Sequence, residues 1–235
     1  MGSVPARRSS EVLDGFAPPV PAAVAARAEA MAVGRRPVEP RRSASVVLLR
    51  DGARPGMDPA RGVEVYLMHR HERMPFAPSV AVFPGGGVDA VDVSPSAAAA
   101  DPVLACALRE TAEETTVRLE ADALVPWARW VTPATEPRRY DTTFYLAALP
   151  GGQEARDVSG ETVRAAWTPV RQALADRGAG DLVLMPPTWS ILAELTAAPD
   201  VATLLRAGAG RRVETVLPRV VPHEGGWRFA YEVLA

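Results

Sequence analysis

The sequence predicts a mixed α/β sandwich, a sheet with helices packed on both faces. Three observations carry this. Aliphatic and β-branched runs bounded by Gly, Pro and Asp occur on both sides of residue 100. Between them, Asp101-Pro102 opens an amphipathic run with a strong helix start: Asp suits the N-cap and Pro the first helical position. Helical patterns then gather late in the chain, ahead of a final pair of strand-like runs. Strands, helix, strands, helices is the order of a layered α/β domain. The 235 residues, 48% of them apolar, suffice for one large domain with an extension.

Residues 1–42 are rich in Ala, Pro and Arg, with seven Arg against four acids. They read as a flexible N-terminal arm with a short helix around Ala22 to Ala32. A loose tail fits this composition better than an element docked on a second subunit, though a homodimer stays open. Ala6 stands where N-myristoylation needs Ser or Thr, and Arg27 and Glu29 break the one candidate signal-peptide core. The folded domain is expected over 43–235. Ser43 to Arg50 reads as a strand ended by Asp51-Gly52, with Gly62 to His69 as its partner. Arg70 to Pro78 reads as a polar turn, and Ser79 to Phe83 as a short strand leading into Gly85-Gly86-Gly87. After the central helix, Leu124 to Thr132 and Tyr140 to Leu149 read as strands around a loop at 133–139. A helical pattern runs from Val163 to Asp176, kinked or split by Pro169. Pro187 to Ala197 and Val201 to Ala207 read as helices. Arg211 to Val221 and Trp227 to Leu234 read as a hairpin around Glu224-Gly225-Gly226.

Composition removes several chemistries. All 26 basic residues are Arg, which excludes a Walker A loop, a Schiff-base lysine and a lysine nucleophile. One cysteine, Cys106, excludes an internal disulfide framework and a multi-Cys zinc site, and suits a reducing cytoplasm. Cys106 lies inside the central helix and reads as a packing residue. The three His show no metal-ligand spacing. A net charge of −2 draws neither nucleic acid nor membrane, and no run reaches the ~18 apolar residues of a membrane span.

The central helix carries the chemistry. Leu104, Leu108, Thr111, Ala112 and Thr115 form one stripe suited to packing on a sheet. Glu110, Glu113 and Glu114 lie off that stripe, within roughly 100° of one another. Such carboxylates repel, and Arg109 reaches Glu113 at i,i+4 but cannot pair all three. Mg2+ or Mn2+ resolves the repulsion, since hard cations take oxygen ligands and bridge to substrate phosphates. A solvated acidic face would show the same letters. The glycine turn upstream and Arg109 beside the first glutamate favour the metal reading.

These residues resemble the Nudix hydrolase family, whose box reads G-x5-E-x7-R-E-U-x-E-E-x-G-U, U being aliphatic. Arg109, Glu110, Glu113, Glu114 and Val117 match its end in register, and Phe83-Pro84-Gly85-Gly86 its front. Seven residues separate Asp101 from Arg109, which puts Asp101 in the place of the first Glu and nine extra residues between it and Gly86. Thr111 and Thr116 replace an aliphatic residue and the late glycine. The run Phe83 to Asp92 looks like the F-P-G-G-x-x-D-x-x-D of the coenzyme A diphosphatase-like branch, which carries an insertion in its box. Arg138 to Thr142 and Met185 to Thr188 also look like this branch. That branch's upstream motif is met only by Leu67 and Arg70.

The resemblance implies a Nudix-type α/β/α sandwich with a mixed sheet. It implies a metal-dependent diphosphatase for a small-molecule nucleoside diphosphate derivative, with coenzyme A, an acyl-coenzyme A, ADP-ribose or another nucleotide sugar as substrates. The alternative is a domain that senses a nucleotide without cleaving it; intact glutamates favour the enzyme. Glu110, Glu113 and Glu114 would hold the metal, and Glu113 or Glu114 would serve as base. Arg109 would hold a glutamate in place. Gly85 and Gly86 would admit a phosphate to the backbone, and Arg70 would grip one. Arg138 and Arg139 are further candidates for anionic substrate, with an Arg–Asp141 pair as the plainer outcome. Glu161 is a candidate base from outside the box, or a helix N-terminal charge.

Overall fold

The computed structural model describes residues 8–13, 16–32, 34, 36–52, 62–71, 80–160 and 162–234. Helices α1 (Ser9–Leu13) and α2 (Ala22–Ala32) precede β1 (Arg41–Asp51), β2 (Val63–Arg70), β3 (Ala81–Val82) and β4 (Gly85–Gly87). A 3-10 turn at Ala90–Val93 leads to α3 (Pro102–Thr115). Then come β5 (Val125–Val131), β6 (Tyr140–Ala148), β7 (Thr162–Pro169), α4 (Val170–Ala179), α5 (Pro186–Leu195) and α6 (Val201–Ala209). The hairpin β8 (Glu214–His223) and β9 (Gly226–Leu234) follows. Among the described residues no helix is long and apolar enough to cross a membrane.

The strands form one mixed sheet in the order β3-β2-β1-β6-β5-β8-β9, with β4 beside β1 and β7 beside β2. β1 pairs β6 in parallel, and β5 pairs β8 in parallel. The unbroken apolar run Val46 to Leu49 reflects a central strand covered on both faces. Val46 and Leu48 pack with Val103, Cys106 and Ala107 of α3, while Val47 and Leu49 pack with Ile191, Leu192 and Leu204 of α5 and α6. The result is an α/β/α sandwich with a mixed sheet, as the sequence predicts. Cys106 is fully buried, and burial pushes its thiol up to about 12, so it stays protonated as a packing residue.

Two expectations need correction. Residues 162–169 form not the first half of a helix but β7, antiparallel to β2 from Glu64↔Pro169 to Arg70↔Thr162. Ala165 and Ala166 favour a helix locally, but the outer edge of β2 supplies a long-range ladder partner that overrides propensity. The N-terminal arm, expected to be loose, packs on the body where it is described. Ser9 and Leu13 are buried. Ser10 donates its backbone N–H and its hydroxyl to Glu214 at 3.1 and 3.0 Å. The Phe16 ring stacks on Trp189 at 3.9 Å, and Arg27 grips Glu136 with bonds of 2.6 and 2.7 Å. Every partner lies far along the chain, where local composition carries no signal of it.

Candidate active site

The site forms where β4 meets α3. β4 is held against β1 by the pairs Ser43↔Gly87, Ala44↔Gly86 and Ser45↔Gly85. The Ser45 hydroxyl donates to Pro84 O at 2.9 Å. Gly85 is sterically required here, and Gly86 leaves room that Glu110 occupies. A Cβ on Gly85 would strike the β1 backbone at Ala44 and Ser45, and one on Gly86 would overlap the Glu110 carboxylate. These glycines therefore make room for a strand on one side and a glutamate on the other.

Helix α3 starts where expected. The Asp101 carboxylate caps it, accepting from Val103 N at 2.9 Å, and Pro102 occupies the first turn. It ends at Thr116, whose φ of 64° is left-handed, so the residue in place of the family's glycine keeps a glycine-like backbone. Between these ends the helix brings its acids to the turn. Glu114 accepts from Gly85 N at 2.8 Å. Glu110 lies against Gly86 and accepts from Arg109 Nη1 at 2.9 Å; Glu113 accepts from the same nitrogen at 3.0 Å. Glu113 is 60% exposed, Glu110 only 16%. Burial, chiefly, raises the Glu110 pKa, Glu113 and Asp92 adding to it against the pull of Arg109. A cation beside Glu110 would offset that penalty.

Arg109 ties the site together. Its Nε and Nη2 hold both Asp92 oxygens at 2.9 Å, and Nη2 also donates to Gly87 O at 3.2 Å. Asp92 is buried, caps the 3-10 turn by accepting from Asp89 N at 2.9 Å, and is held below the usual carboxylate range mainly by Arg109. This corrects the placement of Asp101, whose carboxylate serves Val103 and, at 3.4 Å, Arg42. Asp92, not Asp101, reaches Arg109. The signal was in the sequence: five residues separate Gly86 from Asp92, the spacing in the box pattern. Counting back from Arg109 hid it.

A prediction follows from this pairing. Asp92→Asn is expected to cost about 1–3 kcal/mol, since it weakens a charge-assisted pair that is largely buried. Asp101→Asn should cost well under ~1 kcal/mol, because Asn caps as well as Asp. Urea unfolding midpoints compare the two, and equal losses would restore Asp101 to the box position.

The structure thus brings together Arg109, Glu110, Glu113, Glu114, Gly85 and Gly86. Arg70 ends β2, half-buried, its backbone N–H bonded to Val80 O at 3.0 Å. Strand alternation puts it on the sheet face of Tyr66 and Met68, which α3 covers. Glu161 lies outside the described residues. Among the described residues no three His, Cys, Asp or Glu side chains converge as a ready metal cage. The donor set nevertheless fits a hard cation: carboxylate oxygens, one of them destabilised by burial, set against a turn without side chains.

The NUDIX domain family matches residues 39–186. A Caenorhabditis elegans protein provisionally named nudix hydrolase 7 is 26% identical over 171 residues, 58% of this chain. The chain spans 57% of that relative's length. The crystal structure of a NUDIX hydrolase from Alicyclobacillus acidocaldarius superposes with a TM-score of 0.63 at 26% identity, covering 72% of this chain and 96% of that one. A MutT protein from Bacillus halodurans shares the fold, with a TM-score of 0.50 at 14% identity over 82% of this chain and 97% of its own.

Proposed function

The chain belongs to the Nudix family, and from that premise we propose that it is a hydrolase cleaving the diphosphate linkage of a nucleoside diphosphate derivative. Coenzyme A or an acyl-coenzyme A is the substrate class we place first, with Mg2+ or Mn2+ as cofactor and the cytoplasm as location. The observation that carries this reading is the junction of turn and helix: Glu110 seated in the space a Gly86 side chain would fill, and Glu114 bonded to Gly85 N.

Each residue has a task there. Glu110, Glu113 and Glu114 would hold the metal, which when bound neutralises the diphosphate and acidifies water. Glu113 or Glu114 takes the proton from the attacking water. That water bonds to one phosphorus, the bridging P–O bond breaks, and two monophosphates leave. Arg109 is a positioning residue: it fixes Glu110 and Glu113 from one nitrogen while Asp92 fixes Arg109. Gly85 and Gly86 let a phosphate approach the backbone, and Arg70 offers a guanidinium to a phosphate oxygen. The coenzyme A branch is supported by Asp89 and Asp92 in the F-P-G-G-x-x-D-x-x-D run. Sixteen residues between Asp92 and Arg109, against the pattern's seven, place the insertion after Asp92.

A panel of coenzyme A, ADP-ribose, NADH and dinucleoside polyphosphates, with Mg2+ or Mn2+ and phosphate-coupled colorimetry, tests the reading. Turnover of coenzyme A that stops on chelation is expected. No turnover of any member with either metal would leave the sensing alternative.

A further inference from the structure

We propose that a cavity at the N-terminal ends of β1 and β6 is a second phosphate subsite, taking a phosphomonoester that the substrate carries away from its diphosphate. The inference rests on the diphosphatase reading and narrows its substrate class. The cavity measures about 320 Å3, and its lining includes Arg41, Arg138, Arg139 and Tyr140, with Glu39 as the one carboxylate. That volume is at the lower end for small-molecule sites, ~300–1,000 Å3. Three arginines against one acid around a cavity make a site for an anion, and arginine suits phosphate because it can donate two parallel bonds.

The carboxylate that would have neutralised these arginines is engaged elsewhere. Asp141 accepts from Arg129 Nε and Nη2 at 2.7 and 2.5 Å. The Arg–Asp141 surface pair expected from sequence forms, but with an arginine of β5. Arg139 is anchored by backbone carbonyls, Val38 O at 2.7 Å and Thr132 O at 3.0 Å, with no carboxylate paired to it among the described residues. Arg41 and Tyr140 sit side by side in the parallel ladder, on one sheet face. The loop carrying Arg138 is pinned from behind, where Arg27 of α2 holds Glu136 and donates to Thr135 O at 2.9 Å. The docked N-terminal segment thus shapes the subsite.

Its place relative to the glycine turn is set by β1. Val88 N bonds Arg42 O at 2.9 Å, and Ser43 faces Gly87. Arg41 lies three and four strand residues from Ala44 and Ser45, which face Gly86 and Gly85, roughly 10–13 Å along the chain, a gap that the reach of an arginine side chain narrows. A nucleotide with its diphosphate at the turn and a further phosphate on its ribose spans that order of distance.

Binding to the full-length protein tests this without turnover. Calorimetric titration with adenosine 3′,5′-bisphosphate and with AMP is expected to show the bisphosphate at least ~10-fold tighter. In the double variant Arg41→Ala/Arg138→Ala that preference should collapse towards 1. Equal affinities in the natural protein, or a preference untouched in the variant, overturns the subsite. A kinetic arm compares coenzyme A with 3′-dephospho-coenzyme A, whose kcat/KM ratio should fall in the same variant. Turnover of both without preference keeps the diphosphatase reading and removes the subsite. Bisphosphate preference with no turnover of either keeps the subsite and removes the diphosphatase.

Discussion

Glu114→Gln is expected to lower turnover of the preferred diphosphate at least ~100-fold while the fold survives. Glutamine has nearly the size of glutamate, and its carbonyl can accept the Gly85 N–H that Glu114 accepts at 2.8 Å. The junction between β4 and α3 should therefore stay closed, with an unchanged circular dichroism spectrum and melting temperature. What the variant loses is one negative charge. A metal ligand and a general base both need that charge, so either role predicts the loss. Glu113→Gln separates the roles at its own position. That side chain is 60% exposed and bonded to Arg109, so little structure depends on it. Excess Mg2+ or Mn2+ restores activity if Glu113 is a ligand, and restores nothing if it removes the proton. Turnover undiminished in Glu114→Gln would reject the site.

How much of this was legible beforehand depends on distance along the chain. Arg109, Glu110, Glu113 and Glu114 could be grouped because helical periodicity turns positions one, four and five apart to one side. Asp101 could be recognised as a cap for the same local reason. The buried run of β1 was equally readable, since only a doubly covered strand is apolar at every position from Val46 to Leu49. Asp101 takes the box position on spacing alone because residues 93–100 are mostly Ser, Ala and Pro and have no periodicity to fix a register. β7 was misread because its strand character comes from β2, nearly a hundred residues earlier. The N-terminal contacts were invisible for the strongest form of this reason. Ser9, Phe16 and Arg27 meet Glu194, Trp189 and Glu136, and an Ala-, Pro- and Arg-rich composition carries no sign of those partners.

One of those N-terminal contacts meets a buried carboxylate, and Glu194→Ala is expected to destabilise the protein by about 3–5 kcal/mol. Glu194 is fully buried in α5. It accepts from the Ser9 hydroxyl at 2.8 Å, and Arg211 Nη2 lies 2.6 Å from it. Arg211 is itself only 6% exposed, lies 4.2 Å over the Trp127 ring and donates to Trp127 O at 3.0 Å. Alanine would leave that buried guanidinium without its acceptor and remove one of the links between α1 and the body. For a chain of this size the loss corresponds to a fall in melting temperature of roughly 6–20 °C. The titration of Glu194 supplies a second readout. Burial outweighs Arg211 and Ser9 and pushes its carboxyl from 4.5 up to about 7. The native state then keeps a proton that the unfolded chain has already released. The corresponding stability is present below about 4.5, declines as pH rises, and is gone above about 7. Glu194→Gln cannot ionise and should flatten that decline in denaturant midpoints measured across the window. A Gln variant with the natural slope, or an Ala variant within ~1 kcal/mol of the natural protein, would show that the pair does not hold the N-terminal segment in place.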